Sequence, residues 1–417
     1  FIRRRRGQEP VPYHHPVLQK ILGNNLGTIL YEEDVMQIAS AVGGGSLVEG
    51  ELLRRALQKA RCPEDLREIE NHFIAGAVRQ DIPPTAARSI WKDLQHFSGY
   101  CFSKAHACSY GALAWQSAWL KANHPVEFSC ALLNHHAGMY DKRTIAAEVL
   151  RMGIELLPAC VNHSTADFSI ESSGGLQKIR TALRQVKNLG GRSIEKILAG
   201  RPYTSLIDFI RRTSLPEREI ESLILAGCFD AICEATNHPQ LLWELKSSYA
   251  KESGRGNSGL LSSSADRIEY PPLEHYHPWE RLCNELEHLG LNIRRHPLSL
   301  CRQQLESDCR KRNLTLLTTT GISARHSGRK VCIAGLVAAS RRVRTASGGS
   351  MMFLTIEDET GLLEGTLFPS ASRHLYSRLA GPGPCLFEGL IESEAEVVSL
   401  NISGIEALDG KTLTGTP

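Results

Sequence analysis

The chain has 417 residues, 42% of them hydrophobic and 22% charged. Such a composition excludes a disordered chain, and the length is enough for about two to four separately cored domains. With 48 basic against 45 acidic side chains the formal net charge is only +3, which excludes nucleic-acid binding by bulk charge and leaves local clusters as the route to it.

Twelve cysteines are spread thinly and form no Cys-x-x-Cys pair, so a reducing compartment is expected rather than a disulfide-framed domain. Cys160 with His163, and Cys228 with Cys233, come nearest to metal-ligand spacing. Neither has a second matching pair; both are read as buried or incidental, and no metal ligand is assigned. No run reaches the roughly 18 apolar residues needed to cross a bilayer. The opening Phe1-Ile2-Arg3-Arg4-Arg5-Arg6 lacks the apolar core of a signal peptide, and a cytoplasmic protein without a membrane partner is expected. The chain starts without Met in the middle of a charged phrase, which suggests that further sequence lies upstream.

In chain order, Arg3 to Arg6 read either as a solvated basic run or as a phosphate-tracking one. The apolar positions Ile29, Leu30, Val35, Ile38, Ala39 and Val42 predict a strand or turn feeding a helix. After Gly43-Gly44-Gly45, a second helix carries Arg54, Arg55, Lys59 and Arg61 within about two turns. Guanidinium forks suit phosphate oxygens, although a solvated face has the same spacing. Residues 62–96 predict two more helices, broken near Asp81-Ile82-Pro83-Pro84.

Next comes Phe97-Ser98-Gly99-Tyr100-Cys101-Phe102-Ser103-Lys104-Ala105-His106, an apolar run to Lys121, and a stop at Pro125. Ala107, Gly111, Ala114 and Ala118 share one helical face, while Tyr110, Leu113, Trp115, Trp119 and Leu120 cover the others, so a helix buried nearly all round is expected. Its first turn gathers Gly99, Ser103, Lys104 and His106, where free N–H groups and the helix dipole favour an anion such as phosphate. A plain cap with solvated side chains is the alternative.

Residues 145–152 predict another helix. Between Val186 and Ile197 the pattern is helix, tight turn, helix, with Asn188, Gly190 and Gly191 supplying tolerance of positive φ and consecutive N–H groups facing outward to grip a phosphate. A generic helical turn would look similar. Residues 251–272, rich in Ser and Gly, read as a flexible linker, and 278–289 as a short helix closed by Gly290. From Arg329 the period changes to two. Strands around Val331 to Val337, 352–356, 362–368, 385–392 and 397–402, with one helix near 372–379, predict a five-stranded oligonucleotide/oligosaccharide-binding (OB) barrel. Arg341, Arg342 and Arg344 fall in the expected loop between its first two strands, Phe353 is either a base-stacking platform or core, and Glu357-Asp358-Glu359 reads as turn chemistry.

The string 97–128 resembles the Gly-Tyr-x-Phe-Asn-Lys-x-His segment, following helix and His-Pro-x-Glu-Phe exit of bacterial DNA polymerase III alpha subunits, the DnaE-type C-family polymerases, with Ser103 in place of the usual Asn. Residues 15–39 are similar to the family's His-Pro-x-Leu region, with Glu32 where Gln is more common. Leu53-Arg54-Arg55-Ala56 resembles its Leu-Arg-Arg-Ala-Met-Gly-Lys-Lys, with Gln58-Lys59-Ala60 for Gly-Lys-Lys. Residues 186–197 resemble a helix-hairpin-helix with Asn188 for its first Gly, and 353–361 look like the family's barrel.

That resemblance implies a multidomain fold: mainly α-helical fingers and a helix-hairpin-helix region followed by a small all-β OB barrel. The implied parts are 1–170 partial fingers, 171–235 hairpin module, 236–312 linker and short helical unit, and 313–410 barrel. It implies a fragment of a DNA-directed DNA polymerase, a nucleotidyltransferase of replication or error-prone repair. Nucleotide binding would fall to Arg54, Arg55, Lys59, Ser103, Lys104 and His106, and DNA binding to Lys187, Asn188, Gly190, Gly191, Arg192, Arg341, Arg342, Arg344 and Phe353. In the complete polymerase, Mg²⁺ is held by palm aspartates that precede this chain. No Asp-x-Asp occurs here, no catalytic residue is assigned, and the chain alone is expected to be inactive. Implied partners are primer-template and single-stranded DNA, a deoxynucleoside triphosphate, and a sliding clamp or replisome and mutasome subunits. At the linker, Leu260-Leu261 lack the Gln and aromatic of a clamp motif, which favours the error-prone branch. The alternative is a free-standing, non-catalytic DNA-binding protein, a decayed or split polymerase part.

Overall fold

The computed structural model describes the chain apart from residues 60–65, 98–99, 137, 253–270, 313, 346–347, 380–382, 395–396 and 409–417. The expected linker lies largely in 253–270 and the expected clamp position at Leu260-Leu261 wholly within it, outside the described residues. Two compact units are present, Phe1–Asn123 and His124–Pro417.

The first unit is helical: a single turn α1 (Ile2–Arg5), then α2 (Pro16–Leu22), α3 (Glu32–Gly43), α4 (Leu47–Lys59), α5 (Arg67–Arg79), α6 (Pro84–Phe97) and α7 (Lys104–Asn123). Apolar side chains at helical spacing turn inward: Val35, Ile38 and Val42 of α3 meet Leu57, Phe73, Ile90, Trp91 and Leu94 in one core. Ahead of α3, buried Asp34 accepts from Asn25 Nδ2 and from the backbone N–H groups of Leu30 and Tyr31, at 2.9, 3.1 and 2.9 Å, which fixes the entry into the helix. Gly76 lets α5 cross the end of α3 closely, since a Cβ there would lie 1.9 Å from the Gly43 carbonyl oxygen.

Helix α7 departs from expectation. None of its residues is buried, and Tyr110, Leu113, Trp115 and Trp119 are exposed. Even on the small-residue face, a Cβ at Gly111 would meet nothing within 4 Å. An apolar sequence fixes that a helix has faces to bury but not that covering surfaces are present, and the described residues supply none.

In the second unit, α8 (Pro125–His135) and α9 (Lys142–Arg151) lead into a small sheet in which β1 (Leu156–Leu157) runs parallel to β3 (Leu176–Arg180) and β2 (Ser169–Ser173) antiparallel to it. There follow α10 (Gly191–Ala199), α11 (Leu206–Thr213), α12 (Glu217–Leu225), α13 (His238–Glu252) and α14 (Pro278–Leu289). Their shared core includes Leu133, Val149, Ile179, Leu183, Ile194, Phe209 and Phe229. Helix α14 has the predicted limits and ends on Gly290 at φ 69°.

Beyond α15 (Arg302–Lys311) and β4 (Leu316–Leu317) comes a barrel of β5 (Lys330–Arg344), β6 (Ser350–Glu357), β7 (Leu362–Leu367), β8 (Cys385–Glu394) and β9 (Val397–Ala407), with α16 (Pro369–Leu375) between β7 and β8. The strand order β5-β6-β7-β9-β8 closes through antiparallel pairing of β8 with β5, so the five strands form an OB-type barrel around Ile333, Leu354, Ile356, Phe387, Leu400 and Ile402. Arg341, Arg342 and Arg344 are not in a loop: they extend β5 and pair with Phe353, Met352 and Ser350 of β6. A strand extension standing clear of the core needs no apolar alternation, so its sequence reads as loop.

The turn joining β6 to β7 ties the barrel to the helical part of its unit. Asp358 accepts from the Thr319 N–H and hydroxyl at 2.8 and 2.6 Å, and from Thr360 and Gly361 N–H groups at 2.8 and 3.1 Å. Fully buried Glu357 accepts from Arg143 Nη1 and the Thr144 hydroxyl of α9, each at 3.1 Å, and lies 3.5 Å from Arg151 Nη1. Glu359 receives both arms of Arg302, at 2.5 and 2.6 Å. At the other crossing, in the first unit, Gly76→Ala forces α3 and α5 apart; it is expected to lower stability by about 1–3 kcal/mol, read as a drop in Tm.

Candidate nucleic-acid interface

Of the nucleotide-assigned residues of the first unit, the structure brings Arg54 and Lys104 to the amino-terminal end of α3. Arg54, on α4, donates to Glu32 at 2.9 Å and to both oxygens of Glu51 at 2.7 and 2.8 Å; Arg55 donates to Glu51 at 2.6 Å. Hydrogen bonds from Arg54 and then Arg55 hold the Glu51 carboxyl down at about 2. Lys59 is exposed at the end of α4. The start of α7 reaches the same place: Glu32 N–H donates to the Phe102 carbonyl at 3.1 Å, and the Tyr31 and Phe102 rings meet edge to face at 5.7 Å. Lys104 Nζ stands 5.4 Å from the centre of the Tyr31 ring.

A helix start does offer free N–H groups there, but the Lys104 N–H already donates to the Glu33 carboxylate at 3.1 and 2.9 Å. Ser103 is half-buried beside it, and exposed His106 packs on Tyr110 with ring centres 4.5 Å apart. A phosphate arriving here would displace Glu33 from the α7 terminus and compete with Glu32 and Glu51 for the arginines. Sequence reasoning missed these counter-charges, although Glu51 stands three and four residues before Arg54 and Arg55, the spacing of helical ion pairs.

The predicted hairpin in the second unit is shorter than expected. A single 3-10 turn, Leu183–Gln185, precedes it in place of a helix. Positive φ falls on Asn188 alone, at 69°, where its Nδ2 donates to the Ser222 hydroxyl at 2.9 Å. Gly190 is extended at φ −85° and ψ 165° and begins α10, so neither it nor Gly191 is there for backbone handedness. Clearance within the chain does not require glycine either, since a Cβ at either would meet nothing within 4 Å; both are exposed at the amino end of a nine-residue helix, with open space over it. That leaves N–H groups that a phosphate oxygen can approach. Arg192 is exposed beside them, whereas Lys187 is tied to Glu287 at 2.9 Å. The Lys187 N–H also donates to the His288 carbonyl at 2.8 Å, fastening the hairpin to α14.

On the barrel, the register sets Arg341, Phe353 and Thr366 side by side across three strands. Phe353 is 43% exposed, which resolves the earlier alternatives in favour of a surface ring. The Arg342 guanidinium lies 4.0 Å from the centre of the Tyr376 ring, a cation–π pair that no local sequence signal announced and that stands on the strand face opposite Arg341 and Phe353. The carboxylate run Glu357 to Glu359 does not fit a metal centre, because each of its side chains is paired with arginine or threonine donors. Among the described residues no group of three or more His, Cys, Asp or Glu could hold an ion.

Residues 1–81 match the bacterial DNA polymerase III alpha subunit finger domain, and residues 153–238 match a helix-hairpin-helix motif. An error-prone DNA polymerase of Symbiobacterium thermophilum is 31% identical across 98% of this chain, which spans 41% of that protein. A DNA polymerase III subunit alpha of Thermus aquaticus is 35% identical across 95% of the chain and is 33% covered. That of Bacillus subtilis is 31% identical across 98% of the chain and is 36% covered. The chain therefore spans well under half the length of these relatives.

A substitution at the hairpin tests its geometry. Asn188→Val places a β-branched residue at positive φ and is expected to cost about 1–3 kcal/mol in urea unfolding, whereas Asn188→Gly stays within about 1 kcal/mol of the parent.

Proposed function

Because the chain belongs to the bacterial DNA polymerase III alpha-subunit family, as a segment carrying finger and helix-hairpin-helix regions, we propose that it holds DNA and an incoming deoxynucleoside triphosphate during DNA synthesis. The observation that carries this reading is the hairpin, where Gly190 and Gly191 leave open space over the start of α10 and Arg192 stands beside it. Such a site takes a backbone phosphate without reading sequence.

The barrel adds a second contact with Arg341, Arg344 and Phe353, suited to single-stranded template because a ring can stack on any base. Arg54, Arg55, Lys59 and the Ser103 to His106 turn take the triphosphate, with Glu51 holding the two arginines and Glu33 the Lys104 N–H until it arrives. Carboxylates that would bind Mg²⁺ lie outside this chain. Contact with a sliding clamp or accessory subunits belongs to the complete polymerase.

Binding of a labelled single strand by the purified chain, titrated at rising salt, is expected to weaken with a log–log slope of about −3 to −5. Phe353→Ala weakens it by about tenfold, and Arg192→Glu lowers duplex affinity. A flat salt response contradicts DNA holding. Primer extension with Mg²⁺ and all four triphosphates is expected to give no product from this chain alone; extended primer contradicts the division of labour.

A further inference from the structure

A cavity of ≈ 340 Å³ in the second unit, separate from the hairpin and the barrel face, is lined by α9, by the segment after α14 and by Glu359 of the β6–β7 turn. Four arginines line it. Arg143 and Arg151 come from α9, with Glu357 buried behind them, and Arg294 is paired with Asp230 at 2.9 Å. Arg295 is exposed and has no ion pair among the described residues. The Glu359 carboxylate also lines the space, but both its oxygens are taken by Arg302.

Two further lining side chains have polar atoms with no partner. Asn292 is 6% exposed, and neither its amide nitrogen nor its amide oxygen is hydrogen-bonded. His296 accepts the Leu298 N–H on Nδ1 at 3.2 Å, so its neutral ring carries the proton on Nε2, and that donor is buried and unpartnered. Burial keeps the ring neutral by pushing its pKa down to about 4. Buried donors without partners in a native fold call for a ligand or water that completes them.

We propose that this cavity is a binding site for a phosphate-type oxyanion. Such a ligand is rich in acceptors and matches planar guanidinium forks. It takes hydrogen bonds from His296 Nε2 and Asn292 Nδ2, while Asn292 Oδ1 meets a protonated ligand oxygen or a bridging water. A cation is repelled by the arginines, and an apolar guest would leave the donors unmet. The volume lies near the lower end of small-molecule sites, about 300–1,000 Å³, which suits a pyrophosphate or a backbone phosphate with its water. This inference stands apart from the polymerase reading, since the residues are different and no synthesis is invoked.

Calorimetric titration of the whole chain with inorganic pyrophosphate, at fixed ionic strength set with chloride, is expected to show saturable binding. Arg295→Ala, an exposed change that leaves the fold intact, weakens it by about tenfold, and Asn292→Leu weakens it further. The ¹⁵N resonance of His296 Nε2 shifts on saturation. No saturable binding overturns the proposal, as does binding that survives in Arg295→Ala but is lost in Arg54→Ala, which would place the anion in the first unit. A short single strand then separates the sources: displacement of pyrophosphate assigns the site to backbone phosphate, retention assigns it to a free phosphate, and either result supports the site.

Discussion

The second unit depends on one buried charge. Glu357 has no exposed surface, and a carboxylate taken out of water is costly unless it is paired and hydrogen-bonded. Arg143 and Thr144 of α9 hydrogen-bond one of its oxygens and Arg151 lies 3.5 Å from the other, which has no hydrogen-bond partner among the described residues, while neighbouring Asp358 is held by Thr319, Thr360 and Gly361. Burial works to raise the Asp358 pKa, but the hydrogen bonds from Thr319 and Thr360 outweigh it and leave the group below its ordinary value. The barrel and the helix in front of it are therefore joined by directional bonds, which fix orientation where an apolar patch would allow sliding.

From that joint the functional surfaces take their positions. Helix α9 packs in the same core as α10, so the hairpin inherits its place from the residues that also grip the barrel. A second suture runs through α14, by the Lys187 N–H to His288 and by Gln185 Nε2 to the Leu289 carbonyl at 2.7 Å. The first unit follows a different rule. Its two arginines are held by Glu32 and Glu51 and the Lys104 N–H by Glu33, so these groups assigned to a triphosphate are already ordered, at the cost of competition with the ligand they are meant to hold.

Local chemistry was legible in the sequence. Helix α14 with its Gly290 cap, the helices flanking Asp81 and the alternating barrel strands all rest on signals within a few residues. Asn188 was likewise readable as the left-handed position. What escaped was long-range. Arg143 and Glu357 are 214 residues apart in the chain, and nothing near either one names the other. Exposure of α7 escaped for a related reason, because periodicity reports which faces want cover and not whether cover exists. The hairpin glycines were expected to supply positive φ, which falls on Asn188 instead, and neither backbone handedness nor clearance within the chain calls for glycine at 190 or 191. At the barrel, Arg341 to Arg344 looked like a loop because a strand free of core on its outer part has no pattern to betray it.

Whether the buried carboxylate holds the second unit together is tested most directly by a double-mutant cycle on Arg143→Met and Glu357→Gln, followed by denaturant unfolding. Each single change is expected to cost about 3–5 kcal/mol, because each strands a buried partner. The pair together is expected to cost at least about 2 kcal/mol less than the sum, the signature of direct coupling. Single effects that simply add, to within about 0.5 kcal/mol, would contradict the central role given to this contact.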